Sequence, residues 1–241
     1  MTNLYAFFRP FVQTGLCSGA VFLTLSTPAQ SYYPAGLGNG NLQLWVTAAD
    51  PTTLLTTAGT QANNGDFIAT WKDKSARGAD ASQSTGGIQP VYQTNQLNGF
   101  GAVIFTTQGQ YLTGPTGAYQ TVVSTRAINA FGYNYLFSSP ALTDFSVRLN
   151  QNGSTTWVDY TMGPNNNDWD YNTWGLWLNG SQNNYVGSTD THILVDEAQN
   201  ATNATYSISN TFLNRGLYDN DPVYELMVYN GAPNPAQYSQ L

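Results

Sequence analysis

Beyond its first thirty or so residues this chain sustains no apolar repeat at helical spacing for more than two turns. It carries instead short stretches in which apolar and polar residues alternate, cut at frequent intervals by Gly, Asn and Pro. Alternation with period two marks a strand with one buried face, because successive side chains of an extended backbone point to opposite sides. Leu42, Leu44 and Val46, interleaved with Gln43, Trp45 and Thr47, are the clearest case. Segments 66–71, 102–107, 144–149, 155–162, 174–178, 192–195 and 223–229 are further strand candidates. Asn63-Asn64-Gly65-Asp66 and Asn179-Gly180 are turn signals, since Asn and Gly both tolerate positive φ. Short strands joined by such turns, without an internal repeat or a charge block, predict an all-β sandwich.

Only 9% of the 241 residues are charged, against about a quarter in an average soluble domain. The polarity comes from neutral groups, with 29 Thr and 25 Asn beside 23 Gly, a pattern suited to an exported all-β protein. With 41% apolar and 14% aromatic residues the chain can still bury a sizeable core. A net charge of −7 and scattered basic residues argue against nucleic acid as a partner, which requires clustered Lys and Arg.

Residues 1–31 read as a signal peptide. Arg9 precedes an uncharged run holding Val12, Leu16, Val21, Phe22, Leu23 and Leu25, and small residues then offer a cut after Ala29 or Ser31. The run is short for a membrane span, so no membrane insertion is expected after cleavage and the protein is expected to be secreted or held at the cell surface. Cys17 lies inside the run rather than after it, which argues against a lipid anchor, and it leaves with the peptide. A linker with Pro34 and three glycines occupies 32–41, and a single domain fills 42–241. Asn234 and Pro235 suit the opening of a helix, yet the chain stops about seven residues later, too soon for a helix to support itself. The domain therefore reads as truncated at its C-terminus, a piece of a larger surface protein.

Catalytic chemistry finds little to stand on. A β-sandwich glucanase needs two or three carboxylates alternating on one strand. Glu197 and Glu225 are the only glutamates, and neither belongs to an E-x-D-x-x-E arrangement. Glu225 reads as a hydrogen-bonded structural carboxylate within its strand. His192 is the single histidine and no G-x-S-x-G elbow is present, so a nucleophile would lack a positioned base. One histidine without a cysteine beyond the signal excludes an ordinary zinc site. No catalytic residue is assigned, and His192 reads as a polar group at a strand edge.

Binding chemistry is better represented. Calcium takes six to eight oxygens, and Asp168 and Asp170, two residues apart in Asn167-Asp168-Trp169-Asp170, are the metal candidates. Asp219-Asn220-Asp221 repeats the spacing, but neither segment has the glycine and glutamate of an EF-hand loop. Sugars bind where an aromatic face covers the C–H side of a ring while amides and carboxylates take the hydroxyls. Trp169, Tyr171, Trp177 and Asn167 are the ligand-binding candidates on that ground. Trp174 alternates with Leu176 and Leu178 and is assigned to the core. The alternative for the rings is core filling, and for the acids an ordinary solvated loop.

Several strings carry a resemblance. Leu44-Trp45, then Trp71-Lys72-Asp73-Lys74-Ser75 with Asp80-Ala81-Ser82-Gln83, then Gln89-Pro90, occur in that order. Leu97-Asn98-Gly99-Phe100-Gly101-Ala102-Val103-Ile104-Phe105 and Tyr111-Leu112 follow, and Glu225-Leu226-Met227-Val228-Tyr229-Asn230 stands near the end. The chain thereby resembles the laminin-G-like jelly rolls of the concanavalin A-like lectin/glucanase superfamily, as found in large secreted bacterial surface proteins. The resemblance implies a two-sheet antiparallel jelly roll and a non-catalytic extracellular binding or adhesion module. Its implied partner is a glycan, an extracellular matrix component or a surface protein. A structural spacer or assembly domain is the alternative, and a glycoside hydrolase is disfavoured because the carboxylate strand of that branch is missing.

Overall fold

A computed structural model describes residues 40–107, 109–127, 134–138, 146–151, 157–161, 173–178, 181–182, 191–209 and 222–231. The expected signal peptide, nearly all of the linker, the Asn179-Gly180 turn and the segment after 231 lie outside the described residues.

The described chain is all β, with two single-turn 3₁₀ segments and no α-helix. Its strands are β1 (Leu42–Thr47), β2 (Leu54–Leu55), β3 (Thr70–Trp71), β4 (Ala81–Ser82), β5 (Val91–Leu97), β6 (Phe100–Ile104) and β7 (Leu112–Ala127). They continue with β8 (Asn134–Ser138), β9 (Ser146–Gln151), β10 (Trp157–Thr161), β11 (Thr173–Leu178), β12 (Ser181–Gln182), β13 (Thr191–Ile208) and β14 (Pro222–Tyr229). Every pairing is antiparallel.

Strands β7 and β13 pair along their lengths, 16 and 18 residues, and take different neighbours at their two ends. At one end β11 flanks β13, while β14 and then β1 flank β7. At the other end β8 flanks β13, and β4 joins β7 to β3 and β2. Two layers arise in this way from one hydrogen-bonded network, as in sandwiches whose corners are strands that change sheet through bulges. The register shifts lie at the change-overs: residues 198–201 of β13 are passed over opposite Gln120, and Gly114 and Pro115 are passed over opposite Tyr206. A proline lacks the N–H that a ladder needs, so Pro115 fits at a bulge and not in a regular stretch.

The main core lies between the layers. Leu44, Val46, Val122, Leu226 and Val228 come from one sheet, Leu54, Trp71, Ala81, Leu112, Tyr119, Phe137, Tyr206 and Ile208 from the other. Tyr119, Phe137 and Tyr206 interlock across β7, β8 and β13, with Tyr119 edge-on to Tyr206 at 4.3 Å and Phe137 stacked on Tyr206 at 4.9 Å. Such pairs add to the area they bury. Trp71, Val103, Phe105 and Val228, which the sequence leads one to expect in the core, are fully buried.

Three local expectations change. Segment 66–71 is mostly not strand: only Thr70–Trp71 pairs in a ladder, and Phe67 makes an isolated bridge to Val91. The turn before it explains this, because Asp66 folds its carboxylate back onto the Asn63 N–H at 2.8 Å and Gly65 sits at φ 88°. Strand β1 is covered on both sides, with Leu42, Gln43 and Thr47 buried as well as Leu44 and Val46. Strand β7 extends over 112–127, where sequence alternation marks none.

Candidate functional site

Most of the sequence-assigned site lies beyond view. Asn167, Asp168, Trp169, Asp170 and Tyr171 are outside the described residues. Trp177 belongs to β11, opposite Gln182 on one side and Val195 on the other. Its row continues through Val123 and Met227 to Trp45. Trp177 is thus in register with Trp45, four strand spacings or about 19 Å away. The middle of that row, Val123, Val195 and Met227, is buried together with Leu42 and Tyr229. These described residues form a second apolar layer.

At the β1 edge of this layer the sequence motif Trp71-Lys72-Asp73-Lys74-Ser75 takes on a role. Asp73 accepts from the Trp45 and Ser75 backbone N–H groups through Oδ1, both at 2.8 Å. Its Oδ2 accepts from Ser75 Oγ at 2.5 Å and from the Ala79 N–H at 2.9 Å. The Lys74 N–H donates to the Trp45 carbonyl, so the loop caps the free edge of β1. Lys74 Nζ pairs with Asp50 at 2.6 Å and lies 5.5 Å from the centre of the Trp45 ring. Trp45 Nε1 donates to Glu225 Oε1 at 2.8 Å. Burial raises the Glu225 carboxyl above its ordinary value, against the opposing pull of Trp45 and Lys74. Glu225 is thus the hydrogen-bonded structural carboxylate the sequence suggests.

A distinct concavity lies on the second sheet. Strands β2, β3 and β4 pair as Leu54 with Trp71 and Thr70 with Ser82, and the turn 56–60 folds over beside them. They enclose a cleft of about 270 Å³ lined by Thr56, Thr57, Gly59, Ala69, Thr70, Ser82, Gln83 and Ser84. Thr56 and Thr60 share a hydroxyl hydrogen bond of 2.9 Å that fixes the turn. Gln89 Nε2 reaches Thr57 Oγ1 at 3.2 Å and the Gln83 carbonyl at 2.6 Å, tying the two walls together from beneath. Gln83 Oε1 accepts from the Thr85 N–H at 3.0 Å. Among the described residues no titratable side chain lines the cleft. These side chains can exchange hydrogen bonds with a neutral polar molecule. Sequence reading missed these residues because single hydroxyls on two short strands, their flanks and a turn make no motif.

Among the described residues no group of three or more His, Cys, Asp or Glu could hold a metal ion. None of their helices is long and apolar enough to cross a membrane.

No family model matches this chain, and no curated protein does. Among solved structures, the Trypanosoma rangeli sialidase in complex with 2,3-difluorosialic acid aligns at TM-score 0.47 and 14% identity, over 85% of this chain and 33% of that one. The same sialidase with the inhibitor DANA gives 0.45 and 14% identity, over 82% and 32%. Domain 4 of AbnA, a GH43 extracellular arabinanase from Geobacillus stearothermophilus, in complex with arabinotriose, gives 0.40 and 13%, over 84% and 98%. The chain spans about a third of the length of the sialidase chains it matches.

Proposed function

We propose that this chain is a non-catalytic extracellular module, of the laminin-G-like kind its sequence resembles, that binds an uncharged carbohydrate in the cleft between the 56–60 turn, β3 and β4. The observation that carries the reading is the lining: five hydroxyl side chains and one amide, without a carboxylate, an imidazole or a cation among the described residues. Sugar hydroxyls are both donors and acceptors, and threonine and serine hydroxyls match them in both roles. A hydrolase would need a positioned acid and base, and the described lining residues include neither. Export is part of the proposal and rests on the N-terminal sequence. Calcium, held by Asp168 and Asp170, belongs to it as a second element that would order the neighbouring Trp169.

The test is a glycan array followed by calorimetry, run with and without EDTA. Ser84→Trp, at an exposed position, should fill the cleft and abolish binding of the captured glycan while leaving the melting temperature unchanged. Binding that survives this variant places the ligand elsewhere. No binding by the wild type to any glycan favours the structural-spacer reading, and release of reducing sugar would establish a hydrolase.

A further inference from the structure

Arg126 is the side chain the fold accounts for least. It is fully buried in β7, and among the described residues nothing accepts from its Nε, Nη1 or Nη2. Ser124 Oγ, two residues earlier on the same strand, is also buried without a partner. Residues i and i+2 of a strand project from one face about 7 Å apart, so the two groups are neighbours on that face.

Their surroundings make an unpaired guanidinium costly. Ser124 stands between Leu226 and Leu194 in register, and Arg126 between Val223 and His192. The Arg126 row continues from Val223 through Val103 to Tyr92, all buried in the main core. A guanidinium stays charged at every accessible pH, so it cannot escape desolvation by losing its proton as a buried lysine does. A buried cation in an apolar surround needs an anion with good geometry. The residues in register with Arg126, His192 and Val223, supply no negative charge.

We propose that Arg126 and Ser124 form an internal oxyanion site that takes a small carboxylate. The planar guanidinium fork donates two parallel hydrogen bonds to a carboxylate. The Ser124 hydroxyl, on the same face, would donate a further hydrogen bond to that carboxylate. Full burial limits the occupant to something the size of formate or acetate, so the site is separate from the glycan cleft and does not depend on that reading.

The test uses the full chain in thermal melts, titrating sodium formate, sodium phosphate and sodium glucuronate against sodium chloride at matched ionic strength. Formate should raise the melting temperature along a saturable curve, because a ligand that binds only the folded state stabilises it by mass action. Chloride and the bulkier glucuronate should leave it unmoved; a shift with phosphate alone would reassign the site to a tetrahedral anion and overturn the carboxylate proposal. Arg126→Met, of similar length and apolar, should lose the formate response and melt above the wild type in chloride, since it removes an uncompensated buried charge. Ser124→Ala should keep the fold and need a several-fold higher formate concentration for the same shift. A wild type that responds to formate no more than to chloride overturns the proposal. So does an Arg126→Met variant that melts far below the wild type or fails to fold, since that would mean the guanidinium is paired inside the protein.

Discussion

Trp45 donates its backbone N–H to Asp73 Oδ1 at 2.8 Å across 28 residues of sequence, and this bond fastens the 72–80 loop to the open edge of β1. The same carboxylate takes three more hydrogen bonds from Ser75 and Ala79. An edge strand with unpaired backbone groups invites pairing with another chain, and a loop laid along it removes that edge. Asp73→Ala should therefore destabilise the fold by about 3 kcal/mol, since hydrogen bonds to a charged group are worth about 1.5–3 kcal/mol each and do not add fully. Urea melts measure the loss. A change below about 1 kcal/mol would show that the loop is not held by this carboxylate.

Glu225 gives a pH dependence with a definite sign. Burial raises its folded pKa above the usual 4.5. Between the unfolded and folded values the native state keeps a proton that the unfolded chain releases, so stability is full at low pH and falls as pH rises through that window. Glu225→Gln keeps an acceptor for Trp45 Nε1 and removes the ionisable group. The variant should match the wild type near pH 4 and exceed it at pH 7. Denaturant melts at the two values check the crossing, and a variant weaker than the wild type at pH 7 would refute it.

Phe105 is fully buried in the main core. Phe105→Ala should cost about 3–5 kcal/mol, the range for an aromatic ring removed from a packed interior. Denaturant midpoints at constant slope measure it. A loss under about 1 kcal/mol would place Phe105 outside the packed core.

Tyr119 donates its hydroxyl to the Pro115 carbonyl at 2.6 Å, and burial pushes its pKa up to about 12. Above pH 10 the unfolded chain ionises this phenol while the folded one does not, so the native state loses stability from pH 10 to about 12. Tyr119→Phe should cost about 1 kcal/mol at neutral pH, the net worth of one hydrogen bond, and should lose less on alkaline titration. Ultraviolet absorbance of the phenolate in wild type and variant reports the missing late-titrating group.

Residue order alone is enough to mark a β protein, to locate several of its strands and to name Trp71, Val103, Phe105 and Val228 as core residues. One-sided burial writes itself into a strand as alternation, and alternation is local. It fails where a strand serves two sheets. The main-core residues of β7 are Leu112, Tyr119 and Val122, separated by seven and then three positions, so the phase of alternation inverts twice. The inversions fall at the Gly114–Pro115 bulge and at Gln120, where the pairing with β13 shifts. A one-residue slip turns every later side chain to the other face, and read without the partner strand such a segment has no period. The same limit hid the second covered face of β1 and the purpose of Asp73, because both depend on which distant segment arrives alongside. It also hid the cleft, whose lining comes from a turn and two strands joined by the pairing of Thr70 with Ser82. Neutral hydroxyls carry no charge pattern or spacing along the chain, and only the antiparallel pairing of β2, β3 and β4 gathers them around one space.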